Sequence, residues 1–424
     1  MTVLILFAVL LAIQVPIALV LGMTGISYLW LEGHTTLLQN APQRLFSGVE
    51  SFGLLAIPLF MLAGELMNSG GITRRLIDFA KSFFGHFRGG LAYVNIIANM
   101  FLASILGSAT AQTAMMTRVM VPEMEKAGYK REMATATTAA AALLGPIIPP
   151  SMLFIIYAVG SGVSISSMFI AGILPGILLT LALMTAVAIL GYRHRFPRSE
   201  RASFKTMVIN FLKAVPALMV PLIIIGGILS GVFTATESAG VACFLALVVG
   251  FFIYRELNLR KIPGILANAA VSTSAVTLLI AMANLFGWVL TFDRIPQKIV
   301  ELMAAFTDSP WVFLLLINLF MLIIGIVLDE MAVLIILLPI FMPLVQSYGI
   351  DPVHFGVVIC LNATIGLITP PVGAVISIGS SVADVKFERL SVALIPFLIV
   401  ALIVLVLVTY VPPVTTWLPR TLGF

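Results

Sequence analysis

Two segments interrupt the apolar sequence around them in the same way: Gly145-Pro-Ile-Ile-Pro-Pro-Ser151 and Gly366-Leu-Ile-Thr-Pro-Pro-Val-Gly373. Consecutive prolines remove backbone donors and free the carbonyls upstream. Inside a bilayer such carbonyls are tolerated only when buried in protein or lining a cavity. With the Ser and Thr hydroxyls they form a set of hard oxygen ligands suited to Na+. A proline kink that serves packing alone is the competing reading.

Two further segments are polar within apolar surroundings. In Gly107-Ser-Ala-Thr-Ala-Gln-Thr113, small residues allow close backbone approach, and Ser108, Thr110, Gln112 and Thr113 offer neutral oxygens. A helix starting after Ser108 would aim its N-terminal N–H groups at an anion. The competing reading is small-residue helix packing, with the hydroxyls satisfied by their own backbone. Gly325-Ile-Val-Leu-Asp-Glu330 carries two carboxylates, and an ionisable residue inside a membrane is costly enough to imply a role. Asp329 is read as a cation ligand or proton carrier. Glu330 is read as the cap of the helix that follows, where the dipole favours a carboxylate. Glu65 is read as structural, and so is Glu237, which follows a Thr-x-Thr turn suited to an N-cap. His34, His86, His194 and His354 fall at or near expected loops, so no histidine proton relay is expected. Cys243 and Cys360 lie in apolar stretches, which argues against a disulfide framework or a metal cage.

The elements that must position these residues are membrane helices. Of the 424 residues, 61% are hydrophobic and 10% charged, and the mean hydropathy is +1.15; an ordinary soluble chain carries about 25% charged residues. So few charges cannot cover a water-facing surface, which excludes a soluble enzyme, a nucleic-acid binder and a disordered chain. The apolar runs are long and unbroken rather than alternating, which excludes a β-barrel. A span needs about 20 apolar residues. Charge-free runs cover 2–31, 89–117, 133–192, 214–236, 238–254, 262–292 and 390–419, with shorter or interrupted ones at 54–68, 309–328, 331–350 and 352–383. The first run is too long for a cleavable signal peptide and lacks a basic start.

The net charge of +5 fits cytoplasmic loops rich in Lys and Arg. Basic clusters at 74–88, 118–131, 193–213, 255–261 and 386–389 are accordingly placed in the cytoplasm. Run 89–117 has such clusters at both ends, so it is expected to enter and return as a re-entrant hairpin with its tip at Gly107-Ser108. The pair 309–328 and 331–350 reads as a second hairpin entering from outside, a topology that leaves Arg294 and Lys298 on the less favoured side. A shift of 221 positions brings Pro122 onto Pro343, Gly128 onto Gly349, Gly145 onto Gly366, Pro149 and Pro150 onto Pro370 and Pro371, and Ser108 onto Asp329. A shift of 223 matches Ile72, Leu76, Phe79, Ala80 and Phe83 with Ile295, Ile299, Leu302, Met303 and Phe306. Both sets have the spacing of an amphipathic helix, expected as interfacial arms at about 72–84 and 295–307.

The expected fold is an all-α polytopic membrane protein with an inverted structural repeat, two re-entrant hairpins and two broken helices. One integral-membrane permease would occupy 1–424, with repeat one at about 54–192, repeat two at about 262–424 and connecting spans within 214–254. Inverted repeats with broken helices place the substrate site of many secondary transporters near the bilayer midplane. An intramembrane enzyme is not expected, because the sequence has no His-Glu-x-x-His, Gly-x-Gly-Asp or Walker A motif. A passive anion channel and a proton-coupled symporter using Asp329 remain open on these grounds.

Ser51–Ile72, the Gly-Ser-Ala-Thr-Ala tip, Pro146–Ser151, the segment from Gly226 to Glu237 and Ile368–Gly373 together resemble the large membrane subunit of TRAP transporters. These are tripartite ATP-independent periplasmic uptake systems, and the likeness is to the DctM/SiaM type over nearly the whole chain. It implies a fold similar to elevator transporters of the divalent-anion/Na+ symporter kind, in the bacterial inner membrane among membrane lipid. It implies two partners, a separately encoded small four-helix membrane subunit and a periplasmic substrate-binding protein, and no nucleic acid. The implied activity is Na+-driven uptake of an organic acid, with sialic acid favoured over C4-dicarboxylates and other sugar acids, and Na+ as the coupling ion. By the same likeness Gly107, Ser108, Gly145, Pro146, Gly325, Asp329, Gly366 and Thr369 would hold Na+. Ser108, Thr110, Pro150, Ser151, Asp329, Thr369 and Pro371 would surround the acid between the ions, and the two arms would link a fixed scaffold to a moving core.

Overall fold

Glycine and proline decide where the apolar runs become separate helices. The computed structural model describes residues 2–193, 196–198 and 201–424; His194 and Arg195 lie outside them. The run 2–31 is two helices rather than one, α1 (Thr2–Ala12) and α2 (Ile17–Leu31). Gln14 turns the chain at φ 62° and Pro16 stands at the N-cap of the second. A short α3 (Ala41–Ser47) leads to α4 (Ala56–Ser69). Gly71, at φ 77°, then starts α5 (Ile72–Phe84), which buries Ile72, Leu76 and Ala80 along the expected stripe. The run 89–117 divides at Gly107-Ser108 into α6 (Gly90–Leu106) and α7 (Ala109–Lys126). Beyond it come α8 (Arg131–Ala142), an irregular break through Pro146, Pro149 and Pro150, α9 (Met152–Ser161) and the long α10 (Ile165–Arg193).

Two connecting helices follow, α11 (Phe204–Leu229) and α12 (Ala235–Val248). A capping box starts α12: the Glu237 N–H donates to Thr234 Oγ1 at 3.2 Å, and the Thr234 N–H donates to Glu237 Oε2 at 2.8 Å. Glu237 is therefore a helix cap, as its sequence context predicts. The second half runs through α13 (Ile262–Phe292), α14 (Ile295–Phe306), α15 (Pro310–Gly325), α16 (Glu330–Ser347), α17 (Pro352–Gly366), α18 (Ala374–Ala383) and α19 (Phe387–Tyr410). The run expected to reach 419 ends at Val411, and α20 (Pro413–Thr421) packs back on α10. Helices α14 to α19 start 220 to 223 positions after α5 to α10, in the same order. The Pro149–Pro150 and Pro370–Pro371 bonds are both cis. Among the described residues, seven helices are long and apolar enough to cross a membrane.

The helices pack in two groups. α2, α3 and α4 lie on α13, while α12 lies on α4 and α11. In the other group α7 packs on α8 and α18, α15 on α17, α16 on α9, and α19 on α8 and α10. α5 lies between α11 and α6, and α14 lies against α16. Polar bonds fasten α5. Arg75 donates to the Gly71 carbonyl at 2.7 Å and to Glu256 Oε1 at 2.6 Å, with its guanidinium 3.9 Å from the centre of the Tyr254 ring. Asn210 donates to Ser82 Oγ at 2.6 Å. At α14 the positive segment 294–298 is partly offset by Asp293, 3.6 Å from Lys298. At its far end the Tyr348 hydroxyl donates to the Thr307 carbonyl at 2.6 Å, and apolar contact supplies the rest beside a recess of about 520 Å³ lined by Met303, Phe306, Phe320 and Leu337.

α9 and α17 meet where Gly356 leaves room for the Tyr157 ring. A Cβ on Gly356 would lie 2.3 Å from Tyr157 Cε1, and the Tyr157 hydroxyl donates to the Pro352 carbonyl at 2.5 Å. Overpacking of this kind costs about 1–3 kcal/mol, so Gly356→Val should lower the melting temperature in detergent. Gly240→Ala, whose Cβ would meet nothing within 4 Å, should leave it unchanged or raise it, since Ala surpasses Gly in a helix by up to about 1 kcal/mol. Unchanged melting for Gly356→Val would contradict the packing.

Candidate functional site

The first tip is built by a glycine that ends one helix and a serine that begins the next. Gly107, at φ 60°, donates its N–H to the Ala103 carbonyl at 3.1 Å. Ser108 is extended and stands at the N-cap of α7, where its Oγ lies 3.0 Å from Thr110 Oγ1. The α8–α9 break closes on this tip. A Cβ on Gly145 would lie 2.6 Å from Gln112 Oε1 and 3.4 Å from the Ser108 carbonyl carbon, and a Cβ on Gly107 would lie 3.1 Å from Met152 Cγ. Within the break Ser151 Oγ donates to the Pro146 carbonyl and accepts from the Phe154 N–H at 3.3 Å. Pro150 and Ser151 are buried. The structure thus gathers Gly107, Ser108, Thr110, Gly145, Pro146 and Ser151.

The second tip meets its break more tightly. Gly325 ends α15, Gly366 ends α17, and they touch backbone to backbone: a Cβ on Gly366 would lie 2.7 Å from Gly325 Cα. The Gly373 N–H donates to the Ile326 carbonyl at 3.2 Å, and Thr369 Oγ1 donates to the Ile365 carbonyl at 3.0 Å. Asp329 and Pro371 are exposed. Of the two carboxylates it is Asp329, not Glu330, that caps the following helix. Asp329 caps α16 by accepting from the Met331 N–H at 3.2 Å, whereas Glu330 is 1% exposed. The short Asp side chain reaches the free amides of the first turn from the N-cap position. Glu330, one residue later, instead turns inward and is buried, with its Oε2 lacking a hydrogen-bond partner. That burial is a feature its sequence position did not reveal.

Buried amides were also missed. Asn95 donates to Thr138 Oγ1 at 2.7 Å, Asn99 to Asn95 Oδ1 at 2.8 Å, and Gln112 to Asn99 Oδ1 at 2.8 Å. In the second half Asn362 donates to Asn318 Oδ1 at 2.7 Å, and Asn318 to Thr409 Oγ1 at 3.0 Å. Asn95 and Asn99, four apart in an apolar run, were the available signal. His354 is buried in the first turn of α17 rather than in a loop. Its Nδ1 lies 2.8 Å from Thr415 Oγ1 and its Nε2 3.2 Å from the Thr409 carbonyl.

The chemistry on offer is that of oxygen lone pairs. Gln112 Oε1, Asn362 Oδ1 and Glu330 Oε2 are buried without a hydrogen-bond partner, an uncommon state for polar atoms. Thr113, Ser151 and Thr369 give their hydroxyl protons to carbonyls, which leaves lone pairs on Thr113 and Thr369, and one on Ser151 beside the bond from Phe154, free for a donor or a cation. Among the described residues no group of three His, Cys, Asp or Glu is placed to hold a metal ion. Neutral oxygens around helix ends suit a weakly held alkali cation and the carboxylate of an acid. Gly366→Ala should force the ends of α15 and α17 apart and lower the melting temperature. Ala at Gly226, where a Cβ meets nothing within 4 Å, should not. Equal melting of the two variants would refute the contact.

Comparison with known proteins gives this geometry a family. The family model described as "Tripartite ATP-independent periplasmic transporter, DctM component" matches residues 4–414. The 2,3-diketo-L-gulonate TRAP transporter large permease protein YiaN of Escherichia coli is 41% identical over 402 residues, 95% of this chain and 94% of that one. The sialic acid TRAP transporter large permease protein SiaM of Vibrio cholerae is 38% identical over 96% of this chain and 95% of its own length. The C4-dicarboxylate TRAP transporter large permease protein DctM of Pseudomonas aeruginosa is 39% identical over 93% of this chain and 94% of its own length. Among solved structures the YdaH transporter of Alcanivorax borkumensis superposes with a TM-score of 0.65 at 15% identity, covering 89% of this chain and 88% of that one, a likeness of fold. A chain matched so completely belongs to the DctM component family of tripartite ATP-independent periplasmic transporters, as a multi-pass large permease subunit of the bacterial inner membrane and not an enzyme.

Proposed function

We propose that this subunit imports an organic acid by Na+-coupled alternating access, with an elevator movement of one helix group against the other. The observation that carries the reading is the pairing of each tip with a helix break, Gly107-Ser108 with Gly145 and Gly325 with Gly366. In this reading the two halves are inverted repeats and the tips are re-entrant. One Na+ is held by Gly107, Ser108, Gly145 and Pro146, and another by Gly325, Asp329, Gly366 and Thr369. The acid's carboxylate lies between them, near Ser108, Thr110, Pro150, Ser151, Asp329, Thr369 and Pro371. The group around α13 is the scaffold, the group around α7 and α16 moves, and α5 and α14 are the arms.

A cation entering down 100 mV contributes about 2.3 kcal/mol per charge, so two Na+ with one monocarboxylate accumulate substrate on electrical force alone. A periplasmic binding protein delivers the acid and a small membrane subunit completes the complex, as the word tripartite in the family's description supports. Relatives of nearly equal identity are named for diketogulonate, C4-dicarboxylate and sialic acid. All three bear a carboxylate, and sialic acid is the first to test.

The test is uptake into liposomes containing the full complex, with the binding protein outside. Accumulation should require an inward Na+ gradient, and uptake unaffected by replacing Na+ would end the proposal. Uptake that follows a pH gradient instead would identify a proton symporter, and equilibration without accumulation a channel. Ser108→Ala, Asp329→Asn and Thr369→Ala should each raise the Na+ concentration for half-maximal uptake by about tenfold, the cost of losing one contact to a charged group. A wild-type Na+ response in all three would refute the site assignment.

A further inference from the structure

A cavity remote from the tips carries a different chemistry. We propose that the recess between the start of α6 and the end of α10 binds the phosphate headgroup of an anionic phospholipid of the cytoplasmic leaflet. Residues 196–198, after α10, are pinned onto the start of α6. The Gly89 N–H donates to the Pro197 carbonyl at 3.1 Å, and the Phe196 N–H donates to the Gly191 carbonyl at 3.1 Å. The Phe196 ring is buried, 4.9 Å from the Tyr129 ring between centres, and a Cβ on Gly89 would lie 3.2 Å from its Cδ2. Gly89, at φ 82°, is thus required by both the turn and the approach.

This docking sets Arg88 and Arg198 on either side of one backbone hydrogen bond. With Arg201 they line a cavity of about 500 Å³ walled by Phe84, Phe87 and Tyr192. The Arg88 guanidinium lies 5.5 Å from the centre of the Tyr192 ring. Among the described residues none of the three arginines is in an ion pair. Like charges held together by the fold repel, and a ligand with several anionic oxygens offsets that repulsion. The planar guanidinium fork matches phosphate in particular.

Two observations make the phosphate a lipid's. Phe87 and Tyr192 are exposed at the mouth, as aromatic rings are at the headgroup level of a bilayer. The outer face of α10 then continues from Tyr192 through exposed Ile189 and Leu181, a helical stripe along which an acyl chain can lie. Basic recesses between membrane helices on the cytoplasmic side bind anionic headgroups, and the positive-inside rule puts these arginines on that side.

The test uses the full chain, purified in nonionic detergent and stripped of lipid. Melting temperature and the number of lipids retained in native mass spectrometry are followed against phosphatidylglycerol, phosphatidylcholine and inorganic phosphate. Phosphatidylglycerol should bind saturably and raise the melting temperature, and the other two should not at equal concentration. Arg198→Gln/Arg201→Gln, both at exposed positions, should weaken phosphatidylglycerol binding by about tenfold. Arg260→Gln/Lys261→Gln, a basic pair elsewhere, should bind as the wild type does. Arg88→Gln supplies a second reading of the site should the first variant melt abnormally without lipid. Undiminished binding by both arginine variants overturns the proposal. Equal binding of phosphatidylcholine would reveal apolar contact alone, and equal binding of inorganic phosphate a free-anion site; either result rejects an anionic lipid headgroup site.

Discussion

An N–H or C=O that leaves a helix inside hydrocarbon must be answered by other protein atoms, and the arrangement of the tips and breaks follows from that constraint. An interrupted helix presents unpaired groups at its ends, and a second interrupted helix brought against it supplies partners. The contact of Gly325 with Gly366 brings the ends of α15 and α17 close enough for the Gly373 N–H to reach the Ile326 carbonyl. At the first tip Gly145 abuts Ser108, and Ser151 answers the Pro146 carbonyl with its hydroxyl. A side chain at either glycine of the second contact would separate the backbones and leave those groups unanswered.

What the halves share is this backbone device rather than a common set of polar side chains. The Asn95–Asn99–Gln112 ladder ties α6 to α7 and, through Thr138, to α8, whereas Asn318 and Asn362 tie α15 to α17 and α19. At the shift of 221 that aligns the breaks, Gln112 faces Val333 and Asn362 faces Ala141. Each half has therefore placed its own buried amides, while glycine and proline keep the same places. Glu330 belongs to neither ladder and is buried at the start of α16.

Much of the fold was legible because membrane helices announce themselves locally. The split at Gly107-Ser108, the stripe that became α5, the span 262–292 and the cap at Glu237 all follow from turn chemistry, periodicity or charge within a few residues. The break after Ala12 was missed because a long apolar run conceals a single turn at Gln14 and Pro16. Roles decided by distant partners were missed as well. Nothing near Glu330 foretells its burial, and nothing near His354 foretells Thr415. Adjacent carboxylates look alike in sequence, and only the geometry of the N-cap separates Asp329 from Glu330.

The fastening of α5 and α14 is unequal. Arg75 ties the first turn of α5 to Gly71, Glu256 and Tyr254, and Ser82 ties its last turns to Asn210 of α11. Directional bonds of this kind resist sliding. α14 has one ion pair at its own entrance, accepts a hydrogen bond from the Tyr348 hydroxyl at its Thr307 carbonyl at 2.6 Å, and between these ends rests on apolar side chains beside an open recess, contacts that exchange neighbours at little cost. The same strain would therefore shift the middle of α14 more readily than that of α5, which is tied near both its first and its last turns.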